Sequence, residues 1–346
     1  MNTDSNENIY DLNNIQHFYG KNKALDIKHL CIQRGTRFGL SGPNGSGKST
    51  LLSLLGFCET PTKGNILFNG KSAHMFSINI RFKVSMLLQS SFLLKRTVAE
   101  NILYGLNLRG ITKNAHLQIQ NALEMVGLNA QIFANRHHYQ LSGGEARRVA
   151  LAARLALEPE VLIMDEPTAG IDAESTVRIK EAILEISQKK QSTLIISSHD
   201  HEWLSDTCQT QLFMFKGTPF GKEKKNIIFG PFEPETADKW QKIEAGQKTI
   251  TVPIPPSPHA IAMIDPQHIY LFKEKPHIES DQMMIQSQLT KLFVTPLSSV
   301  VYGSIKVGQR HMIAQIKEKS LFFPGQMVYA VYKMKDIVWH DPVQER

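Results

Sequence analysis

The nine residues Gly42-Pro43-Asn44-Gly45-Ser46-Gly47-Lys48-Ser49-Thr50 fit the pattern G-x-x-x-x-G-K-[ST] and restrict the possible folds of this chain more than any other segment. A backbone that curls tightly enough to aim successive amides at one point needs residues without a Cβ. Arg37-Phe38-Gly39-Leu40 before it reads as a buried strand. Ser49-Thr50-Leu51-Leu52-Ser53-Leu54-Leu55 reads as a helix whose N-terminus favours anions. Strand, loop and helix in that order are the context a phosphate-binding loop requires. The nine residues are therefore expected to cradle a nucleoside triphosphate, with Lys48 on the β- and γ-phosphates and the Ser49 hydroxyl on Mg2+.

A second motif narrows the class. Leu141-Ser142-Gly143-Gly144-Glu145, followed by an alanine-rich helical stretch over 146–157, resembles the signature of ATP-binding cassette (ABC) proteins. Alone, Ser-Gly-Gly would be a turn and helix cap. The resemblance implies that Ser142, Gly143 and Gly144 face the γ-phosphate of ATP held by a second copy of the domain, so that only a homodimer completes the site. Val161-Leu162-Ile163-Met164-Asp165-Glu166 is short enough to be a strand buried on both faces, closed by two carboxylates beside Pro167. Within the resemblance, Asp165 takes the place of the Mg2+ carboxylate and Glu166 that of the general base that polarises the attacking water.

Three weaker elements follow in the family's order. Gln89 in Leu87-Leu88-Gln89-Ser90 matches the glutamine that touches Mg2+ and water. His199 in Ile195-Ile196-Ser197-Ser198-His199-Asp200 matches the switch histidine on the γ-phosphate, and Tyr19 in Phe18-Tyr19-Gly20 the aromatic that stacks on adenine. Each has a plainer reading alone: a loop amide, a surface histidine, a half-buried strand residue. Ala169-Gly170-Ile171-Asp172 stands where the family usually has Ser-x-Leu-Asp; Asp172 is kept, and Gly170 adds backbone freedom between the two sites. The signature's fifth residue is Glu145 where many relatives have Gln.

At 346 residues the chain suits one large domain and one small one. Its polar, acidic start resembles neither a secretory signal nor a presequence, and no apolar run approaches the roughly 20 residues that span a bilayer. The expectation is a soluble protein, cytoplasmic and peripheral to the cell membrane through a partner. Cys31, Cys58 and Cys208 lack C-x-x-C spacing and are expected as reduced core thiols rather than metal ligands. The net charge of +7, with Lys222-Glu223-Lys224-Lys225 as one cluster, lacks the aromatic interleaving of a nucleic-acid face, and no nucleic acid is expected.

The fold expected is α/β: an ABC-type nucleotide-binding domain over 9–235 with a helical insert near 90–140, a Pro-rich linker over 236–259, and a β-rich domain over 260–346. In the insert, 101–108 and 118–126 read as helices. Phe92-Leu93-Leu94-Lys95 is an apolar patch that serves either permease docking or internal packing. Val252-Pro253-Ile254-Pro255-Pro256-Ser257-Pro258 reads as a stiff spacer. Short β runs at 260–264, 269–272, 304–307, 311–316 and 327–332, with turns at Gly308-Gln309 and Pro324-Gly325, suggest a small barrel of the oligonucleotide/oligosaccharide-binding (OB) type. Ile264-Asp265-Pro266-Gln267-His268-Ile269 and Phe323-Pro324-Gly325-Gln326-Met327-Val328-Tyr329-Ala330 resemble the TOBE/MOP-like regulatory domain of some ABC importer ATPases. The Ser-Ala-Arg-Asn phrase that often opens oxyanion-binding barrels is absent before Leu292.

The resemblance implies the ATP-hydrolysing subunit of an importer. It would work as a homodimer around two ATP molecules, coupled to a separate permease and through it to an extracytoplasmic solute-binding protein. Leu87-Leu88-Gln89, Leu93-Leu94-Lys95-Arg96, Gly143-Gly144-Glu145-Ala146 and Pro324-Gly325-Gln326 look like tungstate and molybdate importers. Sulfate, iron, polyamine and sugar importers stay open, as does a soluble ABC ATPase acting on ribosomes or DNA.

Overall fold

A computed structural model describes residues 8–73, 80, 82–90, 93–111, 113–220, 226–244, 248–258, 260–294, 300–308, 310–317 and 321–340. The chain divides into two units, Met1–Glu223 and Lys224–Arg346. The Lys222-Glu223-Lys224-Lys225 cluster lies outside the described residues, as do Phe92 and Gln309.

In the first unit, β1 (Asn8–Tyr19) and β2 (Asn22–Gln33) pair antiparallel, and β3 (Arg37–Ser41) leads through the glycine loop into α1 (Lys48–Leu55). β4 (Lys63–Phe68) and β5 (Lys71–Ser72) complete a four-stranded sheet in the order β2-β1-β4-β5. β6 (Val84–Leu87) precedes the helical insert, which holds α2 (Val98–Leu108), α3 (Ala115–Met125) and α4 (Ala130–Phe133). Then come α5 (Gly143–Leu155), β7 (Val161–Asp165), α6 (Ala173–Lys190), β8 (Thr193–Ser197), α7 (His201–Thr207), β9 (Thr210–Phe215) and β10 (Thr218–Phe220). The second sheet runs β10-β9-β3-β8-β7-β6 and is parallel apart from β10.

All five residues of β7 and all five of β8 are buried, because a parallel strand covered on both faces has no side for water. Alternate side chains feed two different cores. Leu162, Met164, Leu194 and Ile196 join the cluster with Val149, Leu151, Ile179 and Ile183 of α5 and α6, whereas Val161, Ile163 and Ile195 join Leu51, Leu52 and the inner face of β1 and β2. Each such side chain contributes about 1.5–3 kcal/mol on burial, so together they pin the carboxyl ends of these strands in register. Among the described residues, no helix is long and apolar enough to cross a membrane.

Among its described residues, the regular elements of the second unit are strands and short 3-10 turns. It contains β11 (Asn226–Phe229), β12 (Glu233–Pro234), β13 (Lys239–Glu244), β14 (Lys248–Pro253), β15 (Ile261–Ile264), β16 (Ile269–Phe272), β17 (Gln282–Val294), β18 (Val301–Val307), β19 (Arg310–Ile316), β20 (Met327–Lys333) and β21 (Ile337–His340). β16, β19, β18, β17 and β20 close a five-stranded barrel, as the sequence led one to expect. Two boundaries differ. Residues 236–259 are no spacer: β13 and β14 form a hairpin there, and Ile250 and Val252 are fully buried in the unit's core. The alternation Thr249-Ile250-Thr251-Val252 gives the strand an apolar face that outweighs the prolines following it. The unit also begins at Lys224, so β11 to β14 belong with the barrel side of the chain. β17, its longest strand, escaped sequence reading because Gln282, Gln286, Ser287 and Gln288 interrupt its apolar run.

Candidate nucleotide site

The glycine loop begins where β3 ends. Gly42 has φ 146°, and a Cβ there would lie 2.2 Å from the Met214 carbonyl oxygen; at Gly47, φ 94°, it would lie 2.8 Å from the Ala24 oxygen. No other residue type fits either place. The loop's curl carries Lys48 inward, 7% exposed, where its Nζ donates to the carbonyls of Gly42 (2.7 Å) and Pro43 (3.0 Å). Burial lowers the Lys48 pKa, opposed by the nearby Glu166 and Asp165 carboxylates. Ser46 Oγ is buried without a hydrogen-bond partner, facing Gly42. Pro43, Asn44, Gly45 and Thr50 complete the run, and Thr50 shares a side-chain hydrogen bond with the Tyr19 hydroxyl.

Across the loop stands the carboxyl end of β7. Asp165 receives two hydroxyl hydrogens: Ser49 Oγ donates to Oδ2 (3.0 Å) and Ser197 Oγ to Oδ1 (2.5 Å). Next to it Glu166 has φ 48°, a left-handed backbone that costs a side chain of this type about 1–3 kcal/mol and recurs at functional sites. Its amide donates to Ser197 Oγ (3.1 Å). Its Oε2 accepts the His199 amide (3.3 Å), and His199 Nε2 lies 3.3 Å from Oε1, at ion-pair range. Oε1 nevertheless accepts no hydrogen bond while buried. Adjacent strands thus bring Lys48, Ser49, Asp165, Glu166 and His199 to one edge.

Gln89 is exposed two residues past β6, which pairs with β7 through Leu87 and Met164, so it sits at the same sheet edge. Its carbonyl accepts from Arg147, a residue the sequence reading did not single out. Arg147, buried in the second turn of α5, also donates to the carbonyls of Leu88 (3.0 Å), Asp165 (3.1 Å), Glu166 (2.5 Å) and Pro167 (3.2 Å). Burial lowers its pKa, with Asp165 and Glu166 opposing. Nothing in the local sequence marks it, because its partners are backbone atoms.

Ser142, Gly143 and Gly144 open α5, and here the helix-cap reading is realised. Ser142 Oγ accepts the Glu145 amide (3.2 Å) and Glu145 Oε2 accepts the Ser142 amide (2.8 Å), a reciprocal capping box. The S-x-x-E spacing could have revealed this role for Glu145. A Cβ on Gly144 would stand 2.7 Å from Asp172 Oδ2, so the signature packs on the residue that caps α6. Asp172 Oδ1 accepts the Ser175 amide (2.7 Å), and that bond holds its carboxyl below the usual range. These residues contact one another rather than Lys48 or Ser49. Tyr19, half-exposed at the end of β1, donates its hydroxyl to Glu59 Oε2 (2.8 Å), and His17 Nε2 lies 3.0 Å from the same oxygen. Glu59 is a second residue that sequence reading missed.

Cys58 is exposed and Cys31 intermediate, so only Cys208 fits the expected core thiol; burial pushes it up to about 12. Of the apolar patch after Gln89, Leu93 packs against the α5 and α6 core while Leu94 is exposed.

A hydroxyl, a carboxylate and a buried ammonium converging beside an unpartnered Ser46 hydroxyl suit a triphosphate with a hard, oxygen-seeking divalent ion. The family model described as "ABC transporter" matches residues 25–169. The chain is 34% identical over 206 residues to the tungstate uptake system ATP-binding protein TupC of Peptoclostridium acidaminophilum, covering 60% of this chain and 94% of that protein. It is 36% identical over 217 residues to the Fe(3+) ions import ATP-binding protein FbpC of Mannheimia succiniciproducens, covering 62% of this chain and 61% of that one. The dimeric, post-hydrolysis structure of the ATP-binding cassette MJ0796 with ADP and Pi superposes with a TM-score of 0.57 at 26% identity, over 62% of this chain and 98% of that one. With the loop, the acidic strand end and the capped signature helix in one unit, the chain belongs to the ATP-binding family of ABC transporters and is an ATPase.

Proposed function

We propose that the chain is the ATP-hydrolysing subunit of an ABC importer, acting as a homodimer around two ATP molecules and docked on a separate permease at the cytoplasmic face of the membrane. The observation that carries this reading is the meeting of Lys48, Ser49, Asp165, Glu166 and His199 at one sheet edge. On arrival of ATP, Lys48 exchanges the Gly42 and Pro43 carbonyls for phosphate oxygens. The amides of the loop and of the first turn of α1 hold the remaining charge. Ser49 and Asp165 are the residues that would hold Mg2+, with Gln89 beside them; the ion supplies charge neutralisation for the phosphates. Glu166, with one buried carboxylate oxygen that accepts no hydrogen bond, takes the general-base role. His199 orients that carboxylate and reaches toward the γ-phosphate, and Tyr19 stacks on adenine. Ser142, Gly143 and Gly144, remote in contacts from their own loop, serve the partner copy's ATP.

Tungstate or molybdate is the cargo we favour, supported by the match to TupC over nearly that protein's whole length. The match to an iron-import ATPase keeps the choice between oxyanion and iron a matter for transport assay. Two measurements separate mechanism from cargo. Glu166→Gln is expected to lower ATP turnover by about 10²-fold or more while ATP binding persists, and to accumulate closed dimers. Turnover at the wild-type rate would remove Glu166 from the base role. Tungstate uptake in cells lacking the chain, restored by wild type and not by Glu166→Gln, is expected; uptake indifferent to the chain would discard that cargo and leave the ATPase intact.

A further inference from the structure

The exposed face of the β1–β2 ladder carries three ligand types that no motif search would join. Asp11 and Cys31 sit directly opposite one another, and His29 faces Asn13 two pairs along. Residues two apart on a strand share a face, and the flanking Leu12, Leu30 and Ile32 point the other way into the core, so Asp11, Asn13, His29 and Cys31 form one outward cluster. His29 Nε2 stands 3.2 Å from Asp11 Oδ1 and 3.3 Å from Cys31 Sγ, and all three ligand atoms lie within 4.8 Å of one another.

We propose that Asp11, His29 and Cys31 form a binding site for Zn2+ or a similar thiophilic divalent ion. Around a tetrahedral zinc with ligand bonds of about 2.0–2.3 Å, neighbouring ligand atoms stand roughly 3.3–3.6 Å apart, close to the 3.2 and 3.3 Å that separate His29 Nε2 from Asp11 Oδ1 and Cys31 Sγ. Thiolate, imidazole and carboxylate together select zinc over magnesium, so this face and the oxygen-only set of Ser49 and Asp165 take different ions. Asn13 Nδ2 donates to Asp11 Oδ1 (2.8 Å) and fixes the carboxylate beside the imidazole, as outer groups do around metal ligands. Exposure of the His29 side chain, 60%, leaves room for solvent as the fourth ligand and for entry of the ion. The ligands also stitch the edge strand β2 to β1, so occupancy stabilises the first unit by mass action.

The test uses the full chain stripped of metal and titrated with Co2+, then Zn2+. One Co2+ per chain should bind with a thiolate charge-transfer band, and Zn2+ should displace it and raise Tm. Cys31→Ser should abolish the band. His29→Ala and Asp11→Asn should each weaken affinity at least about tenfold. Cys58→Ser should leave both readouts unchanged. Circular dichroism of the metal-free variants checks that each is folded, and Asp11→Asn, which keeps shape and hydrogen bonding, stands in should His29→Ala misfold. Absence of a thiolate band, its persistence in Cys31→Ser, its loss in Cys58→Ser, or binding only at millimolar ion would each overturn the site.

Discussion

The two units bury polarity in opposite ways. Among the described residues, the fully charged side chains that are buried, Lys48, Arg147, Asp165 and Glu166, all lie in the first unit, whereas the polar groups buried in the second, such as Asn226, Ser287 and Ser304, are neutral. Taking an ion out of water costs several kcal/mol unless it is closely paired. The first unit keeps such groups around the candidate nucleotide site, Asp165 and Glu166 at the carboxyl end of β7, Lys48 at the start of α1 and Arg147 in α5, and leaves Glu166 Oε1 and Ser46 Oγ among the buried atoms without a hydrogen bond. In the second, Asn226 and Ser287 are satisfied within the fold: Asn226 Nδ2 donates to the Ile313 carbonyl and its Oδ1 accepts the Ile313 amide, each at 2.7 Å, and Ser287 Oγ donates to the Lys306 carbonyl, whereas Gln326 Nε2 is buried without a hydrogen-bond partner. In the first unit the buried charges border the candidate nucleotide site; in the second the neutral polar groups tie strands together, Asn226 joining β11 to β19 and Ser287 joining β17 to β18.

Removing the anchor of the first pattern should do the most damage. Arg147→Met strands the carbonyls of Gln89, Asp165, Glu166 and Pro167 and is expected to cost about 3 kcal/mol of stability together with most of the ATP turnover, read by urea unfolding and steady-state kinetics. An unchanged midpoint would mean that the carbonyls find water and that the buried guanidinium carries no special weight. In the second unit, Asn226→Ala should cost about 2 kcal/mol by the same unfolding measurement while leaving ATP turnover by the purified chain unaltered. A fall in turnover would blur the division of labour. The finest contrast lies at Tyr19, whose hydroxyl is held by Glu59 at an exposed place. Tyr19→Phe and Glu59→Ala should each raise KM for ATP about threefold, and the double variant no more than either single one, since both remove the same hydrogen bond. Additive effects would detach Glu59 from the aromatic.

Legibility in the sequence followed the same divide. Contiguous runs with backbone demands, Gly42 to Thr50 and Val161 to Glu166, announced both their local structure and their place on the sheet, because glycine spacing and an unbroken apolar strand leave few alternatives. The barrel was legible as a class through short β runs and the Pro324-Gly325 turn. Its boundaries were not, since a strand such as β17 is amphipathic with glutamines and β14 runs into prolines. Arg147 and Glu59 were invisible because carbonyl acceptors and a partner 40 residues away leave no local pattern. The Asp11, His29 and Cys31 cluster was hidden for a related reason: register, not spacing, puts opposite strands side by side.

Glu166 sits in a backbone conformation that glycine or asparagine would accept with less strain. Replacing it relieves the twist at the end of β7 and removes the carboxylate in one step. A search for heat-tolerant versions of this chain would therefore be drawn toward position 166, and the sturdy variants it rewarded there would lack the carboxylate to which we assign the general-base role.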